Sequence, residues 1–176
     1  VKNFNPLDHF DRKEVRKHDL FSIYGIVAAR EAVKDANIDT EAEDLNKIGV
    51  IMGVGIGGIG TFEKEMEDFC KGDGTPRFNP FFIPKMIVDS VSGHVSMEYG
   101  FRGPNYACVS ACASSTSAIS VAYDQIKLGR ANIMITGGAE APITKAGLGS
   151  FNSMHAISTR NDSPETASRP FSKSRD

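Results

Sequence analysis

Residues 104–129, PNYACVSACASSTSAISVAYDQIKLG, decide how this chain folds. PNYACVS reads as a short strand, and Ala113 to Leu128 carries apolar residues at helical spacing and stops at Gly129, a common helix terminator. Between them, S-A-C-A-S places small residues on both sides of Cys112, so the chain can turn sharply from strand to helix and expose the thiol.

Working outward, NIMITGG (132–138) reads as a further strand and KIGVIMGV (47–54) as a β-branched strand covered on both faces. Helical segments separate them. Asp11 to Ala36 has Leu20, Ile23, Tyr24, Val27 and Ala28 at helical spacing, with Gly25 as an interior weak point. Phe62 to Cys70 is an acidic helix, and Pro84 opens another that runs to about Tyr99. Strands alternating with helices predict an α/β fold on a mostly parallel sheet. Residues 149–176 show no period and read as an irregular surface excursion, so the chain ends on a loop and is expected to be a piece of a longer protein.

Composition excludes several classes. With 176 residues and 40% hydrophobic content, one core can form, and a net charge of −2 offers no global attraction to nucleic acid. No apolar run approaches the roughly 18 to 20 residues of a membrane span. Three cysteines, an odd number, without a leading charged-then-apolar segment, point to a reducing compartment, by default the cytoplasm.

Three motifs carry competing readings. Gly53, Gly55 and Gly58 satisfy the dinucleotide fingerprint G-x-G-x-x-G after a strand and before a helix. The helix that follows is acidic where a pyrophosphate would dock and no ribose-binding acid follows at the right distance, so close backbone packing is preferred and no cofactor is expected. Cys108 and Cys112 straddle a strand-to-helix junction with no second Cys or His pair at zinc spacing, and His9, His18, His94 and His155 are scattered, so no metal is expected. Cys112 itself stays open between two readings. At a helix N-terminus, unpaired N–H groups and the positive dipole end favour an anionic sulfur, the state of a nucleophile. Free cysteines are nevertheless most often inert core residues. Cys108, inside the strand, fits that core role better.

GPNYACVSACASSTSA (103–118), IKLGRANIMITGGAEAPIT (126–144), ISTRNDSPETASRPF (157–171) and NPFFIPKMIVDSVSGHVSMEYGFRGP (79–104) together resemble the β-ketoacyl-acyl carrier protein synthases, in particular the elongating condensing enzymes of bacterial fatty-acid synthesis. The resemblance spans the chain in family order. It implies a thiolase-like fold, two similar α/β halves in α-β-α-β-α layers, of which residues 1–176 would be an N-terminal half without its first strand. It implies Cys112 as the nucleophile that takes an acyl group from carrier protein, with its own N–H as one oxyanion donor. Decarboxylated malonyl-carrier protein would then attack that thioester in a Claisen condensation. The family's two catalytic histidines lie in a C-terminal half beyond these residues, so the segment alone is expected to be inactive, and His94 is expected to be structural.

The same resemblance places Ile56 and Phe82 in an acyl pocket at a homodimer interface and Phe151 near the nucleophile; the plain reading of each is ordinary core. Lys13, Arg16 and Lys17, at i, i+3 and i+4, would share one helix face. By pattern that is a solvated face; by resemblance it docks the acidic recognition helix of acyl carrier protein. His155 stands where relatives often carry a docking arginine, and Ser115 where they commonly carry glycine. Two alternatives share the fold: a non-catalytic chain-length-factor-like partner, which usually lacks the cysteine, and a polyketide ketosynthase. A thiolase acting on coenzyme A fits the basic patch less well.

Overall fold

The computed structural model describes residues 1–176. Two compact units, Val1–Pro142 and Ile143–Asp176, are taken separately.

The first unit is organised by a three-stranded sheet. Strand β1 (Ile48–Gly53) lies between β2 (Asn105–Cys108) and β3 (Ile133–Gly138), and both pairings are parallel. Register aligns the strand ends: Gly53 pairs with Cys108 on one side and Gly138 on the other. Every residue of β1 is buried, as expected for a central strand covered on both faces.

Alternation along β1 separates two interfaces. Ile48, Val50, Met52 and Val54 join Phe21 and Ile26 of α2 (Leu20–Asp35) and Val91 and Val95 of α5 (Ser90–Tyr99) in one apolar core. Gly53 belongs to the opposite set and meets the backbone at the start of α6 (Ser114–Lys127), whose sheet-facing positions are the small Ala118 and Ala122. Burial of each large aliphatic side chain in such a core contributes about 1.5–3 kcal/mol. Gly25, the weak point inside α2, is where that helix meets α5: a Cβ there would stand 2.6 Å from Val91 Cγ1.

The structure departs from the sequence expectation in three places. The single helix over 11–36 is two, α1 (Arg12–Val15) and α2. Asp11 accepts hydrogen bonds from the N–H groups of Lys13 and Glu14, and Asp19 from that of Phe21, so each aspartate starts its own helix. Asp19 is buried and also accepts from the Thr61 N–H and hydroxyl, at 3.1 and 2.6 Å, which ties the start of α2 to α3 (Ile59–Lys71). Lys13, Arg16 and Lys17 therefore do not share the face of one continuous helix. Lys13 lies in a single turn, Arg16 caps it, and Lys17 follows with its ammonium 2.6 Å from Glu14.

Likewise, Pro84 does not open a helix reaching Tyr99. It lies within the one-turn α4 (Phe82–Met86), Ile87 turns extended, and α5 begins afresh at Ser90. Pro84 is still in the first turn, where its missing N–H costs no intrahelical bond. Finally, the second unit is not wholly irregular: Thr144 caps α7 (Lys145–Ser153) by accepting from the Gly147 N–H. Beyond α7 the chain is loop with one 3₁₀ turn, Pro164–Thr166, pinned by Ser158 and Thr159 donating to the Asp176 carboxylate. No helix is long and apolar enough to cross a membrane.

Candidate active site

Strand β2 ends at Cys108, and five residues later the backbone is already helical. The reversal is made at Ala111, whose φ of +50° lies in the left-handed region that a Cβ disfavours by roughly 1–2 kcal/mol. Residues 111–113 form a 3₁₀ turn that runs into α6, so Cys112 sits at the very start of that helical segment and is exposed. The expected strand–turn–helix elbow is present, with its strain one residue before the cysteine.

Serines hold the elbow. Ser114 is buried; its hydroxyl accepts from the Ser110 N–H at 2.9 Å and donates to the Ala111 carbonyl at 2.7 Å, closing the turn around Cys112. Ser110 and Ser117 hydroxyls are 2.7 Å apart. Beneath the elbow lie the glycine ends of β1 and β3. A Cβ on Gly53 would fall within the backbone of Ser114 and Ser115, and one on Gly138 would stand 2.7 Å from Ser115 Cβ. Ser115, where relatives commonly carry glycine, is accommodated because Gly138 has no side chain.

These parts enclose a cavity of about 250 Å³ lined by Cys112, Ala111, Ser115, Gly55, Gly138 and Glu140. It opens at the carboxyl ends of parallel strands, the usual place for ligands in an α/β sheet.

Glu140 is the residue the sequence reading missed. Its carboxylate reaches the glycine loop and accepts three consecutive backbone N–H groups, Gly55 and Ile56 on Oε2 at 2.8 Å each and Gly57 on Oε1 at 3.1 Å. The loop donors that a dinucleotide pyrophosphate would need are thus bonded to the chain's own carboxylate. Gly57 has φ +77°, and a Cβ there would stand 2.7 Å from the Met86 carbonyl, so the loop is tightly packed backbone, as preferred from sequence.

The other expected residues are placed as follows. Ile56, in the glycine loop, is 43% exposed and is not part of the core formed by residues 1–176. Phe82, on α4, is half-buried in an aromatic stack, 5.4 Å from Phe78 and 6.2 Å from Phe62 between ring centroids, and does not line the Cys112 cavity. Phe151 is an exposed residue of α7 in the second unit, where His155 adopts φ +53°. Cys108 is half-buried in β2.

Two histidines that looked scattered meet. His18 and His94 stack edge-to-face with centroids 4.2 Å apart, and His18 Nε2 lies 3.7 Å from Glu14. Burial, reinforced by the neighbouring imidazole, pushes His18 down to about 4, and burial also lowers His94. Both line a separate pocket with Phe10, Glu14 and Arg30, and neither lines the Cys112 cavity.

One sequence family, Beta-ketoacyl synthase, N-terminal domain, matches residues 2–175. The chain belongs to that family. Among curated relatives of this chain, 3-oxoacyl-[acyl-carrier-protein] synthase 2 of Staphylococcus aureus is 49% identical over all of the chain, and its namesake from Vibrio cholerae is 39% identical. The chain spans 43% and 42% of those two proteins. A β-ketoacyl synthase crystal structure from Burkholderia phymatum superposes with a TM-score of 0.84 at 27% identity, covering all of this chain and 43% of that one. A type II polyketide ketosynthase solved in complex with its acyl-carrier protein gives 0.81 at 24% identity, over 88% of this chain and 44% of that one, a likeness of fold. The thiolase-like α/β architecture expected from sequence is shared with these ketosynthases, with all three strands here parallel.

Proposed function

We propose that this β-ketoacyl synthase chain carries the nucleophile of a 3-oxoacyl-[acyl-carrier-protein] synthase acting in fatty-acid elongation. The observation that carries the reading is Cys112, exposed at the strained elbow above the strand ends and open to the cavity. The Cys112 sulfur attacks the thioester carbonyl of an acyl-carrier protein; a new carbon–sulfur bond forms, and the carrier's thiol leaves with a proton. The oxyanion that develops accepts from the Cys112 N–H, one of the first-turn donors without an intrahelical acceptor. Malonyl-carrier protein then loses carbon dioxide, and its carbanion attacks the acyl carbon, returning the Cys112 thiol. Acid–base groups for that second step are assigned, by the family likeness, to residues outside 1–176; the cavity lining here contains no histidine.

Lys13, Arg16 and Lys17 supply a basic approach for an acidic carrier, with Lys13 and Arg16 exposed and Lys17 already paired to Glu14. Ile56, Phe82 and Phe151 are assigned to the acyl chain. A homodimer is supported by the position of β2 at the sheet edge, beside exposed Tyr106, Val109, Ile119 and Tyr123. Three unpaired cysteines accord with a cytoplasmic setting.

The test is intact-mass analysis of the full-length polypeptide carrying this sequence after incubation with acyl-carrier protein. One acyl mass is gained by the natural protein and none by Cys112→Ala. Acylation that survives the substitution refutes the assignment.

A further inference from the structure

We infer that Glu140 is a positioning residue that sets acyl-chain selectivity by holding the loop that carries Ile56 at the Cys112 cavity, which Gly55 and Glu140 line. The inference rests on the reading of Cys112 as an acyl acceptor. Ile56 is the only residue of the segment Gly55–Gly58 that has a side chain, and its own N–H is one of the three bonded to Glu140. Glycines on either side give that segment little stiffness of its own. Its far end is held by the Gly58 N–H donating to the Met86 carbonyl at 3.2 Å, and its first three N–H groups by a carboxylate 84 residues from Ile56 in sequence, an arrangement suited to an anion. Glu140 is itself held in register, since the Ala139 N–H donates to the Gly53 carbonyl at 3.1 Å and extends the β1–β3 ladder to the residue before it.

The donor set requires a carboxylate. Both oxygens accept, so glutamine at 140 satisfies Gly55 and Ile56 or Gly57, and turns its amide donors toward the remainder. Aspartate, one methylene shorter, reaches the loop only if the loop moves toward β3. In either case Ile56 shifts relative to Cys112. An acetyl group on the sulfur is too short to depend on the loop, whereas a long acyl chain must pass the cavity wall that Gly55 and Glu140 form. Glu140 thus acts on the discrimination between substrates and leaves the nucleophile untouched.

The experiment compares transfer of acetyl and dodecanoyl groups from carrier protein to Cys112 in the full-length polypeptide, for the natural protein, Glu140→Gln, Ile56→Ala and the double variant. The expected result is a roughly tenfold change in the dodecanoyl-to-acetyl rate ratio for Glu140→Gln. In the Ile56→Ala background the same change has little further effect, because both act through one side chain. Equal slowing of both donors, or effects that multiply independently, overturns the inference. Amide hydrogen exchange at Gly55, Ile56 and Gly57 needs no substrate: faster exchange in Glu140→Gln supports the anchoring, and unchanged exchange refutes it. A natural protein that accepts no acyl group refutes the function proposed for Cys112, while the exchange measurement still decides whether Glu140 holds the loop.

Discussion

The elbow around Cys112 and the clamp behind α1 are built from different materials. At the elbow, backbone meets backbone: Gly53 and Gly138 leave room for Ser114 and Ser115, and a carboxylate fastens the neighbouring loop by its N–H groups. At the clamp, side chains do the work. Arg30 makes two bonds to Glu98, at 2.7 and 3.0 Å, donates to the His9 carbonyl at 2.9 Å and lies over the Phe10 ring at 4.3 Å. His18 and His94 pack beside it, with Glu14 at the rim. The elbow leaves no room for an added atom at Gly53 or Gly138, whereas the clamp holds a buried histidine pair that answers to pH. The position of Cys112 therefore depends on steric fit, and that of the segment carrying Lys13, Arg16 and Lys17 on charge and protonation.

The comparison breaks most sharply at Gly53. Gly53→Ala places a methyl group in the backbone of Ser114 and Ser115, where no flexible side chain can yield, and is expected to cost about 3 kcal/mol or more in denaturant unfolding. A near-neutral result would mean that α6 can lift from β1, and that the elbow is looser than its contacts imply.

Acidification is expected to act on the clamp. His18 protonates near 6.5 when exposed in the unfolded chain but only near 4 when folded, so the unfolded state takes up the proton first. This contribution to stability is complete above about pH 6.5 and is lost as pH falls toward 4, by up to about 3 kcal/mol. Unfolding followed across that window, with His18→Gln as the flattened comparison, measures it; identical slopes for both proteins would remove His18 as the source.

The smallest effect belongs to Arg30. Its side chain and that of Glu98 are 31% and 35% exposed, so solvent screens the pair, and Arg30→Met is expected to cost about 1 kcal/mol. Faster amide exchange over residues 9–18, with Cys112 acylation unchanged, would sharpen the separation of the two regions. Slower acylation together with intact exchange would blur it.

Local pattern determined a good deal. The β-branched run at Ile48–Gly53, the strand before Cys108 and the apolar spacing through α6 are each written within a few neighbouring residues, and small residues flanking Cys112 allow one sharp turn. The family likeness was legible in the same segments. Helix continuity was not: Asp11 and Asp19 look like polar positions on one long helix until their carboxylates are seen taking backbone and Thr61 donors. Nor was the Cys112 surround. Glu140 lies 85 residues from Gly55, and His94 lies 76 from His18, so no periodicity links either pair. The crossovers of a parallel sheet bring such residues together only when β3 is laid beside β1 and α5 against α2. The sequence by itself determined which residue could be the nucleophile and on what turn it stands; tertiary packing decided which carboxylate anchors the loop beside it, because that partner is chosen by strand order and register.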